Sequence, residues 1–143
     1  MADGRRTFSV SLVTPDGAVF EDEAEMIIVP GDAGEIGVLA RHAPLIATLK
    51  AGSTRVYLDR DAEDVREYAT GPGFFQVELD RAIVLVDDAI LASEVDIERA
   101  RGQLDEARSE LERVDRGESE ADRWQLEQRI KAAENQLTAA GRG

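Results

Sequence analysis

The sequence predicts an α+β chain. An N-terminal antiparallel β-sandwich over residues 1–88 is followed by an antiparallel two-helix hairpin over residues 89–143. Three observations carry this. Apolar residues recur every second position before about Asp87 and every three to four positions after it. Turns rich in glycine and proline separate the short apolar runs of the first part. A serine followed three residues later by an aspartate opens each helical stretch, at Ser93–Asp96 and Ser119–Asp122.

Phe8, Val10 and Leu12 alternate with Thr7, Ser9 and Ser11, the period of a half-buried strand. Thr14-Pro15-Asp16-Gly17 supplies a turn, with proline pre-setting φ at its second position. Ala18–Glu21 returns as a short strand, and Glu25–Val29 reads as a third, more buried one. Leu45–Leu49, Ser53–Asp59, Arg66–Ala69, Phe74–Leu79 and Ala82–Val86 follow. Gly31-Asp32-Ala33-Gly34-Glu35-Ile36-Gly37 reads as turn. It lacks the Gly-Lys-Ser/Thr ending of a phosphate loop and opens no helix. No helical period interrupts these runs, which excludes a parallel α/β sheet.

Beyond Asp88, Ile97, Ala100, Leu104, Ala107, Leu111 and Val114 form a heptad seam. Gly117 breaks it, and Leu126, Ile130, Ala133, Leu137 and Ala140 form a second. The short Asp115–Glu118 connection makes the two helices antiparallel. Large side chains are few in both seams, so the hairpin is expected to be marginal alone, docking on a partner surface or detaching from it. Met1–Arg6 and Thr138–Gly143 are expected to fray.

Composition narrows the function. The 143 residues fit one domain or two small modules, and there is no cysteine. Disulfides, thiol nucleophiles and thiolate metal sites are therefore excluded. The net charge is −13. Residues 1–88 carry 8 basic and 17 acidic side chains, and residues 89–143 carry 9 and 13. Such a chain is repelled by nucleic acid and by anionic lipid. No uncharged run approaches the ~18 residues of a membrane-spanning helix, and no apolar signal core follows Met1–Arg6. A soluble, unexported chain is expected, with any membrane role exerted through partner proteins.

Catalysis has little support. His42 is the only histidine, and no serine or threonine stands as a nucleophile for it. It reads as a structural residue in a turn before Pro44. Glu21-Asp22-Glu23-Ala24-Glu25 lacks calcium-loop spacing, so no metal site is expected. Of Phe74 and Phe75, alternation puts one inside. Trp124 stands beside the second seam, either as an interface anchor or docked within the chain. Asp96 and Arg99 are neighbours on one helical turn, read as a first-turn acid with a weak ion pair, or as a small anion or nucleotide spot.

A string of segments then acquires meaning together. These are Val13-Thr14-Pro15, Val29-Pro30-Gly31, Gly34-Glu35-Ile36-Gly37-Val38-Leu39, His42-Ala43-Pro44-Leu45, Gly71-Pro72-Gly73-Phe74, Val84-Leu85-Val86-Asp87-Asp88-Ala89 and Asp96 to Ala100. In this order they resemble the family of epsilon subunits of bacterial rotary ATP synthases, from about Phe8 to Leu137. The resemblance implies a non-catalytic rotor subunit with no required cofactor. It implies a β-sandwich at the foot of the central stalk, bound to the gamma subunit and resting on the c-ring. Gly34, Glu35 and Gly37, with His42, are implied to face the ring or stalk. The hairpin is implied to fold on the sandwich, or to extend into the alpha/beta catalytic head and restrain ATP hydrolysis. Asp96, Arg99 and Ala100 match an Asp-x-x-Arg-Ala motif that binds regulatory ATP in some members. Those members also use arginines of the second helix, where this chain has Arg123 and Arg129. The implied location is the cytoplasmic face of the bacterial plasma membrane, as a peripheral subunit. The alternative reading is a free-standing adaptor, with the sandwich as binding module and the hairpin as coiled-coil docking arm.

Overall fold

A computed structural model describes residues 6–59, 61 and 63–142, the last without its side chain. Met1–Arg5, most of the N-terminal segment expected to fray, lie outside the described residues. Two compact units are present, Met1–Leu91 and Ala92–Gly143.

Among the described residues the first unit holds ten strands: β1 (Phe8–Thr14), β2 (Gly17–Ala24), β3 (Met26–Gly31), β4 (Gly34–Leu39), β5 (Leu45–Leu49), β6 (Gly52–Asp59), β7 (Asp64–Thr70), β8 (Gly73–Glu78), β9 (Arg81–Val86) and β10 (Ala89–Leu91). They form one sheet in the order β10-β7-β6-β3-β5-β8-β9-β1-β2, with β4 added beside β3. The sheet curls, bringing β2 back alongside β6, and its inner faces close on each other as a sandwich. Alternation decides what fills it. Phe8, Val10, Leu12, Ile27, Val29, Val56, Phe75 and Val84 are all at most 2% exposed. A polar pair is embedded here and satisfied. The Thr54 and Thr70 hydroxyls lie 2.9 Å apart, and Thr70 also donates to the Gly52 carbonyl.

The structure corrects four sequence readings in this unit. Residues 34–37, part of the stretch read as turn, lie in strand β4, paired with β3 from Gly31↔Gly34 to Met26↔Leu39. Only Asp32 and Ala33 turn the chain. Gly34 takes φ +140°, and a Cβ on Gly31 would stand 2.7 Å from the Gly34 carbonyl oxygen. Glycines here permit a tight hairpin rather than a long loop. Second, the sandwich does not end at Asp88. Residues 89–91 form β10 and pair with β7, which carries the unit to Leu91. Third, one strand pair is parallel: β1 lies in register with β9, Ser9↔Arg81 to Val13↔Leu85. The long excursion through the intervening strands brings β9 back in the same direction as β1. Last, β2 extends to Ala24 rather than stopping at Glu21.

The second unit holds a 3₁₀ turn (Ala92–Glu94), α1 (Ile97–Asp115) and α2 (Arg123–Arg142). Ser93 lies in the 3₁₀ turn and does not cap α1. Asp96 does, accepting from the Arg99 backbone N–H at 3.0 Å. Asp122 serves α2 likewise, accepting from the N–H groups of Trp124 and Gln125. In both places the sequence signal was shifted by three residues, since Ser and Asp compete for the same role. At the end of α1 Gly117 takes φ +75°, and Glu118 N–H reaches the Arg113 carbonyl at 2.8 Å, a Schellman closure. Arg108–Glu134 at 3.0 Å and an Arg123–Asp115 pair set the antiparallel register.

The seams are thin, as their composition requires. Ala100, Leu104, Ala107, Leu126 and Ala133 are buried, and so is Ala139, which lies off the expected seam. Ile97, expected within the first seam, is 44% exposed because it is the first residue of the helix. Of Thr138–Gly143, expected to fray, residues 138–142 form the end of α2, and Gly143 lies outside the described residues.

Candidate interaction surface

Three large apolar side chains stand outside the sandwich on neighbouring strands. Ile46 of β5 is 74% exposed, Phe74 of β8 57% and Leu85 of β9 47%. Register places them on one face. Phe74 pairs directly with Leu85, and Ile46 pairs with Gln76, two positions along from Phe74. Phe75 turns inward and is fully buried, so the alternation argument holds for the phenylalanine pair.

The tip of the β3–β4 hairpin overhangs one end of this stripe. Asp32, Gly34, Glu35 and Ile36 line a shallow groove with Ile46 and Phe74. Thr48 of β5 donates to the Asp32 carboxylate at 2.5 Å and fastens the tip to the sheet. Glu35 is held by Arg55 of β6, whose Nη2 donates to it at 2.7 Å. The Arg55 Nε is buried with no hydrogen-bond partner among the described residues.

Gly34 and Glu35 thus sit at the groove, and Gly37 lies further along the exposed side of β4. His42 does not join them. It lies past Leu39, at the far end of β4, where Arg41 N–H bonds the Leu79 carbonyl. Five residues of strand put that end about 17 Å from Gly34. His42 is half-buried, with Nδ1 2.7 Å from the Ala43 carbonyl oxygen. Ile46 and Leu85 were not picked out from the sequence. The signal was present in Leu45-Ile46, Phe74-Phe75 and Val84-Leu85-Val86, where strands lose alternation and both faces become apolar.

One carboxyl has a displaced titration. Burial, with the Asp88 charge beside it, raises Asp87 above its ordinary value of 3.8. Asp87 follows β9 and lies against Gly71, where a side chain would run into its carboxylate.

In the helical unit, Asp96 is engaged as a helix cap and Ala100 is 1% exposed in the seam. Arg123 is level with Asp115, and Arg129 lies between Arg123 and the Glu134 that pairs with Arg108. Asp96 lies twelve residues before Arg108 on α1, about 18 Å along the helix axis. Neither arginine is brought to Asp96 and Arg99. Trp124 is 66% exposed. Among the described residues no group of acidic or histidine side chains is arranged to hold a metal ion.

The family model for the β-sandwich domain of the ATP synthase delta/epsilon chain matches residues 7–92. The ATP synthase epsilon chain of Synechocystis sp. is 36% identical over 135 residues, covering 94% of this chain and 97% of that one. That of Bacillus pumilus is 34% identical over 137 residues, covering 96% and 99%. The chain belongs to the ATP synthase epsilon-chain family. It is a non-catalytic subunit. Among solved structures, a chain of the Euglena gracilis mitochondrial ATP synthase superposes with a TM-score of 0.75 at 23% identity, covering 96% of this chain and 82% of that one. A chain from the central stalk and c-ring of Tetrahymena thermophila mitochondrial ATP synthase gives 0.63 at 12% identity, covering 95% and 98%. At these identities the two structures speak for the fold. No described helix is long and apolar enough to cross a membrane.

Proposed function

We propose that this chain is a central-stalk subunit of a bacterial proton-translocating ATP synthase, coupling the catalytic head to the c-ring and restraining ATP hydrolysis through its helical unit. The observation that carries the reading is the exposed Ile46–Phe74–Leu85 stripe beside the hairpin tip. An apolar face of this kind on an otherwise acidic sandwich suits stable burial against a partner subunit. The gamma subunit is the partner assigned to it. Gly34, Glu35 and Gly37 face the ring or stalk in this reading, and His42 marks the opposite end of the same strand. The subunit is peripheral, at the cytoplasmic face of the plasma membrane.

The helical unit is assigned the regulatory role. Its seam is mostly alanine, which suits an element with two resting places. After Asp122, α2 carries few more basic than acidic side chains, so electrostatic attraction to an acidic catalytic head is modest. Inhibition is accordingly weak or dependent on conditions. Regulatory ATP at Asp96, Arg99 and Ala100 is supported by the motif alone, since Arg123 and Arg129 stand elsewhere.

The test adds back either the full chain or a version ending at Leu91 to an ATPase head stripped of this subunit. Ending at Leu91 keeps β10 on the sheet. If both bind and only the full chain slows hydrolysis, the sandwich is the anchor and the helices are the brake. If both bind and neither slows it, the regulatory part of the proposal falls. Failure of both to bind would leave the free-standing adaptor.

A further inference from the structure

Among the described residues, β2, β10 and β4 each pair on one side only, and two of these three margins are guarded. β2 carries Glu21, Asp22 and Glu23, and its register with β1 shifts at Leu12/Val13. β10 is three residues long. Charge, irregularity and brevity are the ordinary means of keeping foreign strands off an edge. β4 has neither the irregularity nor the brevity. It runs six residues in unbroken register with β3, and among the described residues no other strand pairs with it. Its one charge, Glu35, is drawn back across β3 by Arg55 rather than left standing as a guard.

The pairing also tells which backbone groups are open. Gly31 and Gly34 close a two-residue turn and exchange bonds, and Pro30 has no N–H to give Glu35. The Pro30 carbonyl points the other way, accepting from Lys50 N–H. Gly34, Ile36 and Val38 therefore bond β3, while Glu35, Gly37 and Leu39 turn their N–H and C=O groups outward. All three outward residues are exposed. Gly37 leaves the backbone bare, since a Cβ there would meet only Ile28 Cγ1 at 3.9 Å.

We propose that β4 is a strand-addition site, on which an extended segment of another ATP synthase subunit pairs at Glu35, Gly37 and Leu39. The inference rests on the central-stalk reading above. The edge also states the chemistry of its occupant. A basic side chain suits the end beside the Asp32 carboxylate, which is held by the Thr48 hydroxyl. An apolar one suits the end beside Leu39, which is 43% exposed. On the other face, apolar residues would extend the core past Ile36 and Val38. A second copy of this chain is disfavoured, because each copy carries a net charge of −13.

The test is amide hydrogen exchange in the free full-length chain and in the intact ATP synthase of its own organism, read residue by residue on the recovered chain. The amides of Ile36 and Val38 are expected to be protected in both. Those of Glu35, Gly37 and Leu39 are expected to exchange freely in the free chain and at least tenfold more slowly in the complex. That alternating gain marks strand pairing, whereas burial under a flat surface slows the whole segment. Unchanged exchange at the three amides in the complex overturns the proposal. Protection that grows with the concentration of the free chain assigns the edge to a second copy and overturns the partner subunit. Absence of the chain from the purified complex defeats the central-stalk reading itself, and the strand-addition proposal with it. As a second measurement, Gly37→Pro removes one outward donor that an edge strand can spare, while Gly37→Ala keeps it. Incorporation into the complex is expected to weaken more than tenfold for the proline variant and less than threefold for the alanine. Equal incorporation of the two overturns the proposal.

Discussion

Arg55 on β6 reaches past β3 to hold Glu35 on β4, with Nη2 and Oε2 2.7 Å apart. The intervening residue on β3 is Ile28, paired with both Arg55 and Gly37. Both charged groups remain partly exposed, at 30% and 61%, so the pair itself contributes at most about 1 kcal/mol. The Arg55 stem, however, packs on the sheet. Arg55→Ala is therefore expected to lower the urea midpoint more than Glu35→Ala does. Equal effects would mean that the ion pair is the only contribution.

The exposed stripe separates assembly from stability. Ile46→Ser and Phe74→Ser are expected to shift the stability of the free chain by less than about 0.5 kcal/mol, as surface changes do. Phe75→Ala, one residue away and fully buried, is expected to cost about 3–5 kcal/mol. Pull-down with the stripped ATPase should show the reverse order for the folded variants. Phe74→Ser that binds as the natural chain does would remove the stripe from the interface.

Two glycines of the helical unit should respond with opposite signs. Gly102 lies within α1, and a Cβ there meets nothing within 4 Å. Gly102→Ala is expected to stabilise the helix by about 0.8–1 kcal/mol. Gly117 has φ +75° in the closure after α1, and Gly117→Ala is expected to destabilise by about 1 kcal/mol. Thermal melting of the full chain, followed at a helical wavelength, reads both.

The caps give a similar contrast. Asp96→Ala is expected to cost about 1 kcal/mol of helix stability, and Ser93→Ala far less. Circular dichroism of the two variants would check this. A larger loss at Ser93 would restore the capping box to the serine.

Asp87 makes a prediction about pH. Its folded pKa is raised by burial and by Asp88, so between 3.8 and that raised value the folded state holds more protons than the unfolded one. Stability from this group therefore falls as pH rises through that window and stays lowered above it. Asp87→Asn is expected to remove that fall. The difference between natural chain and variant, followed by urea midpoints from pH 3 upward, should grow with pH and then level off, within roughly the carboxylate range.

Much of this architecture follows from local chemistry in the sequence. Alternation at Phe8, Val10 and Leu12 needs nothing distant to make a strand with one buried face. The alanine-rich seams and Gly117 likewise set two helices and the break between them. The caps were shifted because Ser93 and Asp96, or Ser119 and Asp122, offer the same oxygen chemistry, and only the backbone at the helix start chooses between them. β4 was missed because its glycines signal turn, while its strand conformation comes from pairing with β3. β10 was missed because three residues hold no period, and β7 alone gives them a place.

The candidate surface divides in the same way. Gly34, Glu35 and Gly37 were singled out through the family resemblance, as facing the ring or stalk, and all three are exposed on β4. Tertiary structure alone moved His42 to the other end of β4, joined Ile46, Phe74 and Leu85 into one stripe, and tied Glu35 to Arg55. Each of these depends on register between strands distant in sequence. A one-residue slip in that register would turn every one of these side chains to the other face. Periodicity within a strand says that one face is buried. Only the folded sheet says which neighbours share the face that is not.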